Sequence, residues 1–282
     1  MSPEVLHYAA FTDDPAGGNP AGVVLNASGM ASEEMAEVAA SVGYSETAFL
    51  AGSSLRFFSP RGEVPFCGHA TVATAVALAS RSGSTDRFVF TTPAGDVPVT
   101  VVRRDGRFIA SLTSVPTWSR DAHADERERA LSALRLDGDD LDPAHPVHVA
   151  FAGNRHLIVP LRSRSRLAAL SYDTDALLAV MEDSGWTTVH VTWRETPSLW
   201  RARDPFPTGG VVEDPATGAA AAAFGGYLRA LGLAPPPTSI TIVQGEDMGR
   251  RSVLTVDLDP EDDRSVVSGA AVELHPTGTG AE

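Results

Sequence analysis

Apolar positions along this chain change period several times, and each change marks an element. Residues 4–11 (EVLHYAAF) suit an opening strand, and VVLN at 23–26 suits a second. Between them, TDDPAGGNPAG at 12–22 is dense in Asp, Gly, Pro and Asn, so the pair predicts a hairpin with a long polar tip. Met35, Val38, Ala39 and Val42 then recur at helical spacing. Ser32 is placed to cap that helix, Glu33 and Glu34 fall in its first turn where the helix dipole favours them, and Gly43 ends it. SETAFLAG at 45–52 and LRFFSP at 55–60 read as two more strands. From about Ala70 to Ala79 a helix follows with no polar stripe, and a helix that is apolar all round must be surrounded. Strands are predicted after it at 87–91, 97–103 and 107–113. A sheet wrapped around a central helix is therefore expected.

The pattern then repeats. Residues 63–80 (EVPFCGHATVATAVALAS) and 213–230 (EDPATGAAAAAFGGYLRA) share E-x-P-x-x-G-x-A-x-x-A in one register, with an offset of 213 − 63 = 150. Gly18-Asn19 before a strand is echoed by Gly153-Asn154. GYSETAFL is echoed by GWTTVHVT, with Thr188 opposite Glu46. Thr91 and Gly95 are echoed by Thr241 and Gly245, and a capped helix over about 174–184 ends in Gly185. Two pseudo-symmetric α+β domains follow, each a mostly antiparallel sheet rolled around an apolar helix. The polar stretch 116–129 is the expected boundary, giving halves at 1–118 and 119–268, with a helix over roughly 125–136 opening the second. A last strand near 266–274 is expected to rejoin the first half over about 269–276, and the tail PTGTGAE is expected to be disordered.

Composition narrows the function. A formal net charge of −14 argues against nucleic acid or an anionic membrane surface as partner. The single cysteine, Cys67, rules out an internal disulfide. The N-terminus lacks the basic and apolar regions of a signal peptide, and no apolar run reaches the ~18 residues of a membrane helix, so a soluble cytoplasmic protein is expected. There is no HExxH, His145 and His148 flank a proline turn without further ligands, and no phosphate-binding glycine motif is present. No metal and no nucleotide are expected.

The candidate chemistry lies at the two Gly-helix turns. A glycine before a helix lets a ligand approach free N–H groups, although it also simply makes a tight turn. Polar groups that break the internal symmetry stand out: Glu46 faces Thr188, His69 faces Ala219, and Asp214 faces Val64. Glu46 among Ala48, Phe49 and Leu50 is either a solvent-facing strand residue or a desolvated acid/base with a raised pKa. His69 at a helix start suits capping or packing as well as catalysis, and Asp214 before Pro215 suits a turn.

Taken together, GGNPAGVVL (17–25), SETAFL (45–50), EVPFCGHAT (63–71) and EDPATGAA (213–220) resemble the phenazine-biosynthesis isomerase (PhzF-like) family, which has the diaminopimelate-epimerase fold. The resemblance spans nearly the whole chain. It implies an active site in the cleft between two similar domains, a homodimer, and no metal, nicotinamide or pyridoxal cofactor. It implies that Glu46 moves a proton between carbons, that His69 positions the substrate and assists, and that Asp214 binds a polar substituent. Asn19, Gly68, Thr217, Gly218 and Ala219 are the implied substrate-binding positions, with Gly68, Gly218 and nearby amides holding a carboxylate. Family members acting on the phenazine precursor carry serine where this chain has Ala219, which points to a related substrate in another natural-product pathway. The expected function is a cofactor-independent isomerase of a small anionic carboxylate. The alternatives are a hydrolase or transferase using Cys67 and His69, and a non-catalytic binder. An epimerase with two facing thiols is excluded, because the position matching Cys67 is Thr217.

Overall fold

The computed structural model describes residues 3–275, and the tail at 276–282 lies outside the described residues. The chain divides into two compact units. One runs up to Leu112 and resumes at Ser268, and the other runs from Thr113 to Val267.

The first unit contains β1 (Leu6–Ala10), β2 (Asn19–Val24), α1 (Ser32–Val42), β3 (Glu46–Ala51), β4 (Ser54–Ser59), β5 (Gly62–Val64), α2 (Gly68–Ser82), β6 (Arg87–Thr92), β7 (Gly95–Arg104) and β8 (Arg107–Thr113). β1 and β2 form the antiparallel hairpin, with Ala10 opposite Asn19. The tip is held open by Gly18, whose φ of 68° lies in the left-handed region. A side chain there would collide with the Ala10 carbonyl and Thr12, at 2.5 and 2.4 Å from a Cβ. β2 pairs parallel with β3 across α1, and β3 turns back antiparallel onto β4. β6, β7 and β8 continue as an antiparallel meander.

α2 packs against β1, β2, β3 and β7, and His69 through Ala77 are all buried. The expectation of a surrounded apolar helix is met, since alanines and valines on every side leave no face that favours water. α1 covers the outer face, where Met35 and Ala39 meet Val24, Phe49 and Phe58. Its capping differs from expectation. Ala31 is the cap residue, without a side-chain bond, and Ser32 is the first helical residue. The Ser32 hydroxyl instead accepts a hydrogen bond from Arg56 at 3.0 Å.

The second unit contains β9 (Trp118–Asp121), α3 (Ala124–Ala133), β10 (His148–Phe151), β11 (Arg155–Leu161), α4 (Arg164–Ala168), α5 (Thr174–Ser184), β12 (Thr188–Thr196), β13 (Leu199–Pro205), β14 (Glu213–Asp214), α6 (Gly218–Ala230), β15 (Thr238–Gln244) and β16 (Ser252–Leu258). The pairing repeats that of the first unit: β10–β11 antiparallel, β11–β12 parallel, β12–β13 antiparallel and β13–β15 parallel. Even the short parallel step recurs, with Ser54 beside Thr91 in one unit and Leu199 beside Thr241 in the other. α6 packs against β9, β10, β11 and β16, and its residues from Ala220 to Leu228 are buried. The polar stretch after residue 116 is not a plain connection, because WSRD within it forms β9 and pairs with β10.

The outer face of this sheet is covered by α3, α4 and α5 around Leu134, Leu157, Val159, Leu177, Met181 and Val191. The side toward α6 is unusually polar. His156 donates through Nδ1 to the Thr188 hydroxyl at 2.9 Å, which donates to Asp204 at 3.2 Å, and His190 Nδ1 donates to the other Asp204 oxygen at 2.7 Å. All four residues have no solvent exposure. Burial holds His156 far below the ordinary imidazole range, down to about 3, with His190 adding to the effect.

A last strand, β17 (Ser265–Glu273), pairs antiparallel with β1, setting Tyr8 opposite Glu273. Its Ser268 hydroxyl lies 2.7 Å from that of Ser111 on β8. Among the described residues no helix is long and apolar enough to cross a membrane.

Candidate active site

The shared E-x-P segment builds the same local device in each unit. Proline lacks an N–H and forces the residue before it to be extended. The two or three residues preceding it therefore pair briefly with a neighbouring strand and then stop. β5 sets Glu63 opposite Phe58 of β4, and β14 sets Glu213 opposite Pro205 of β13. Each glutamate is gripped by an arginine. Arg56 holds Glu63 by two hydrogen bonds of 2.7 Å, which depresses the Glu63 pKa. Arg203 holds Glu213 from two nitrogens and also donates to the carbonyls of Leu167, Ala168 and Leu170. These glutamates fix the loops, and the helices then start at Gly68 and Gly218.

In the first unit the loop delivers a cluster of polar side chains. His69 is the second residue of α2 and only 6% exposed. Its Nδ1 lies 3.2 Å from the amide nitrogen of Asn19, at the start of β2. With that amide orientation Nδ1 accepts, so the ring proton sits on Nε2. Nε2 faces the Glu46 carboxylate at 3.4 Å and the Ser45 hydroxyl at 3.4 Å. Burial lowers the His69 pKa, and the nearby Glu46 charge opposes this without reversing it. His69 is therefore a neutral imidazole with its Nε2 beside a carboxylate. Glu46 is the first residue of β3, with its side chain 16% exposed, so it stays reachable while the ring behind it does not. Gly68 leaves open space on its Cβ side, with Phe66 at 3.9 Å as the nearest side-chain neighbour. The first N–H groups of α2 have no acceptor within the helix and suit a carboxylate.

Cys67 caps α2 without a side-chain capping bond. Its Sγ is 3.4 Å from Nδ1 and 3.7 Å from Nε2 of His69. Near-equal distances to the two nitrogens place the sulfur over the ring, not along an N–H direction, so the pair is not aligned as a thiol–imidazole dyad.

In the second unit the equivalent loop gathers Asp214, Thr217, Gly218 and Ala219. The Thr217 hydroxyl donates to Asp214 at 2.7 Å. Gln244, at the end of β15 and fully buried, accepts from the Thr217 N–H at 3.1 Å, and it donates to the Asp214 carbonyl at 2.7 Å and to the Thr217 hydroxyl at 3.0 Å. Gly245 follows with a φ of 75°, and a Cβ there would lie 2.4 Å from the Arg250 carbonyl and 2.8 Å from that of Pro215. The sequence-predicted residues thus fall into two sets, Asn19, Glu46, Gly68 and His69 in one unit and Asp214, Thr217, Gly218 and Ala219 in the other. Sequence reasoning missed Ser45 and Gln244. Gln244 carried a signal: its match in the first copy is Ala94, so it breaks the internal symmetry as Asp214 does.

The chain is similar to known proteins along nearly its whole length. The family model described as phenazine biosynthesis-like protein matches residues 8–276. An uncharacterized isomerase of Escherichia coli O157:H7 is 34% identical, over 97% of each chain. The trans-2,3-dihydro-3-hydroxyanthranilate isomerase of Pseudomonas aeruginosa is 33% identical over 256 residues, 86% of each chain. Among solved structures, a Bacillus anthracis phenazine biosynthesis protein of the PhzF family superposes with a TM-score of 0.86 at 27% identity, covering 96% of both chains.

Proposed function

The chain belongs to the phenazine biosynthesis-like family and is an isomerase, and from that premise we propose that Glu46 carries the proton in a cofactor-independent shift between two carbons of a small carboxylate. The observation that carries this reading is the Glu46–His69 pair. A reachable carboxylate sits 3.4 Å from the Nε2 of a buried neutral imidazole, at the start of α2.

The Glu46 carboxylate removes a proton from a substrate carbon next to an unsaturated or carbonyl-conjugated centre. Negative charge develops on the substrate, and the free N–H groups at the start of α2, together with the helix dipole, stabilise it there. Protonated Glu46 then returns the proton to a second carbon, so bond breaking and bond making balance without a co-reactant. The His69 N–H orients the carboxylate and stabilises its ionised form between the two transfers. Asn19 fixes which ring nitrogen bears that proton. Asp214, held by Thr217 and Gln244, binds a polar substituent of the substrate such as an amino or hydroxyl group. Ala219 offers no hydroxyl, which favours a relative of the hydroxyanthranilate-type compound over that compound itself, in a natural-product pathway.

The test is proton exchange in D2O, followed by NMR, with trans-2,3-dihydro-3-hydroxyanthranilate and a panel of small unsaturated and amino carboxylates. The wild-type chain is expected to shift the double bond of at least one compound and to incorporate deuterium at the new C–H. Glu46→Gln is expected to stay folded and lose turnover by about 100-fold or more. Near wild-type turnover in Glu46→Gln sinks the assignment. A thiol-dependent reaction predicts that Cys67→Ala is inactive, whereas the sulfur's position over the ring predicts near wild-type turnover.

A further inference from the structure

Glu46, Cys67 and His69 bring three different metal-ligating groups together, with one donor atom from each lying within 4.8 Å of the others. We propose that these three side chains form a binding site for a zinc-like divalent cation, and that the bound ion shuts the isomerase off. The second half of this statement rests on Glu46 being the proton carrier.

The geometry fits the ion. Zinc takes thiolate sulfur at about 2.3 Å and imidazole nitrogen or carboxylate oxygen at about 2.0–2.2 Å in a tetrahedron. Donors so placed lie about 3.3–3.7 Å apart. Here the His69 Nε2–Glu46 Oε2 separation is 3.4 Å and the Cys67 Sγ–His69 Nε2 separation is 3.7 Å. Sγ rests over the ring, so ligation requires the Cys67 side chain to turn it toward the Nε2 edge. The outer partner is near but must turn. A histidine that ligates through Nε2 holds its other ring nitrogen against a fixed polar group, and the buried Asn19 amide lies 3.2 Å from Nδ1. On binding, the ring proton moves to Nδ1 and the Asn19 amide turns its oxygen to accept it.

Charge balances as well. The ion displaces the thiol proton, one proton leaves per ion bound, and two negative ligands neutralise a double positive charge that the start of α2 would otherwise repel. The fourth position of the tetrahedron is left to water or a substrate carboxylate. A carboxylate held by the ion is a much weaker base and is fixed away from a substrate C–H, which is why occupation stops proton transfer. The pairing of a soft thiolate with imidazole selects zinc or cadmium over magnesium or calcium.

The experiment is calorimetric titration of the full-length chain, stripped with a chelator, with ZnCl2 at neutral pH. One ion per chain is expected, with release of about one proton in buffers of different ionisation enthalpy. Cys67→Ala and Cys67→Ser are expected to bind at least about 100-fold more weakly, since losing an outer-sphere partner alone costs about 10–100-fold. With Co2+ as a spectroscopic probe, the wild-type chain is expected to show a sulfur-to-metal charge-transfer band that both Cys67 variants lack. In the deuterium-exchange assay Zn2+ is expected to inhibit the wild-type chain and to spare Cys67→Ala. Failure of the wild-type chain to bind Zn2+, or equal binding by Cys67→Ala, overturns the site. Tight, Cys67-dependent binding without inhibition keeps the site and overturns its effect on catalysis. Loss of turnover in metal-free Cys67→Ala speaks against the proposed isomerase mechanism and leaves the binding measurements to decide the site.

Discussion

At the scale of single residues, the first unit's cluster depends on which nitrogen of His69 holds the proton. Asn19 makes that choice through one 3.2 Å contact with Nδ1. Asn19→Leu removes the donor and leaves a buried ring nitrogen without it, a loss of about 1–3 kcal/mol. Turnover in the exchange assay is expected to fall roughly tenfold to a hundredfold, with chemical denaturation showing the fold intact. Gln244 plays the matching part in the second unit, where three hydrogen bonds fix Asp214 and Thr217. Gln244→Ala is expected to raise KM more than it lowers kcat, because it loosens the proposed binding group and leaves Glu46 and His69 untouched. The candidates Glu46, His69 and Asp214 were legible because each interrupts a repeat. Ser45 was not, because a serine beside a strand matches too many surface positions to stand out.

Among the elements, the two helix-start loops follow from a short pattern. Glutamate pairs with an arginine of the preceding strand, proline stops the strand, and glycine opens the helix. The loop tip before β2 has no such redundancy and rests on Gly18. Gly18→Ala places a Cβ 2.5 Å from the Ala10 carbonyl in a left-handed backbone conformation. A destabilisation of about 1–3 kcal/mol is expected, read as a lower denaturant midpoint, together with loss of turnover as Asn19 moves. Strand and helix positions were broadly legible, because period and breakers state them directly. β9 was not legible, because WSRD carries no apolar alternation and becomes a strand only by pairing with β10. The same holds for β5 and β14, which are too short to show a pattern of their own.

For the molecule as a whole, the second unit is expected to lose stability in acid through a buried histidine. His156 is neutral in the folded chain down to about pH 3 and takes a proton near 6.5 when unfolded. Between those values the unfolded state binds the extra proton, so stability rises with pH across that window and levels off above it. The slope from this one group is roughly 1 kcal/mol per pH unit. His156→Asn keeps a donor toward Thr188 and removes the titration. Its denaturation free energy is expected to fall less steeply between pH 6 and about 4 than that of the wild-type chain. The first unit instead depends on the far end of the chain, since β17 pairs with β1 from Tyr8 to Ala10. A chain ending before Ser265 leaves β1 without that partner. It is expected to lose amide-exchange protection in β1 and β2 while α3, α5 and β12 stay protected.

Sequence alone determined that two copies of one unit exist, where their helices and most strands lie, and which polar residues depart from the repeat. Those features are local or periodic, and a buried helix or a proline-stopped strand announces itself within a few residues. Tertiary structure decided which of the departing residues meet. His69 finds Asn19 fifty positions earlier, Gln244 finds Thr217 twenty-seven positions earlier, and Cys67 turns its sulfur over a ring two residues on. The first two contacts depend on strand register and the third on how a helix start is seated. Register is set by a whole sheet closing around its helix, so no short stretch of sequence carries it.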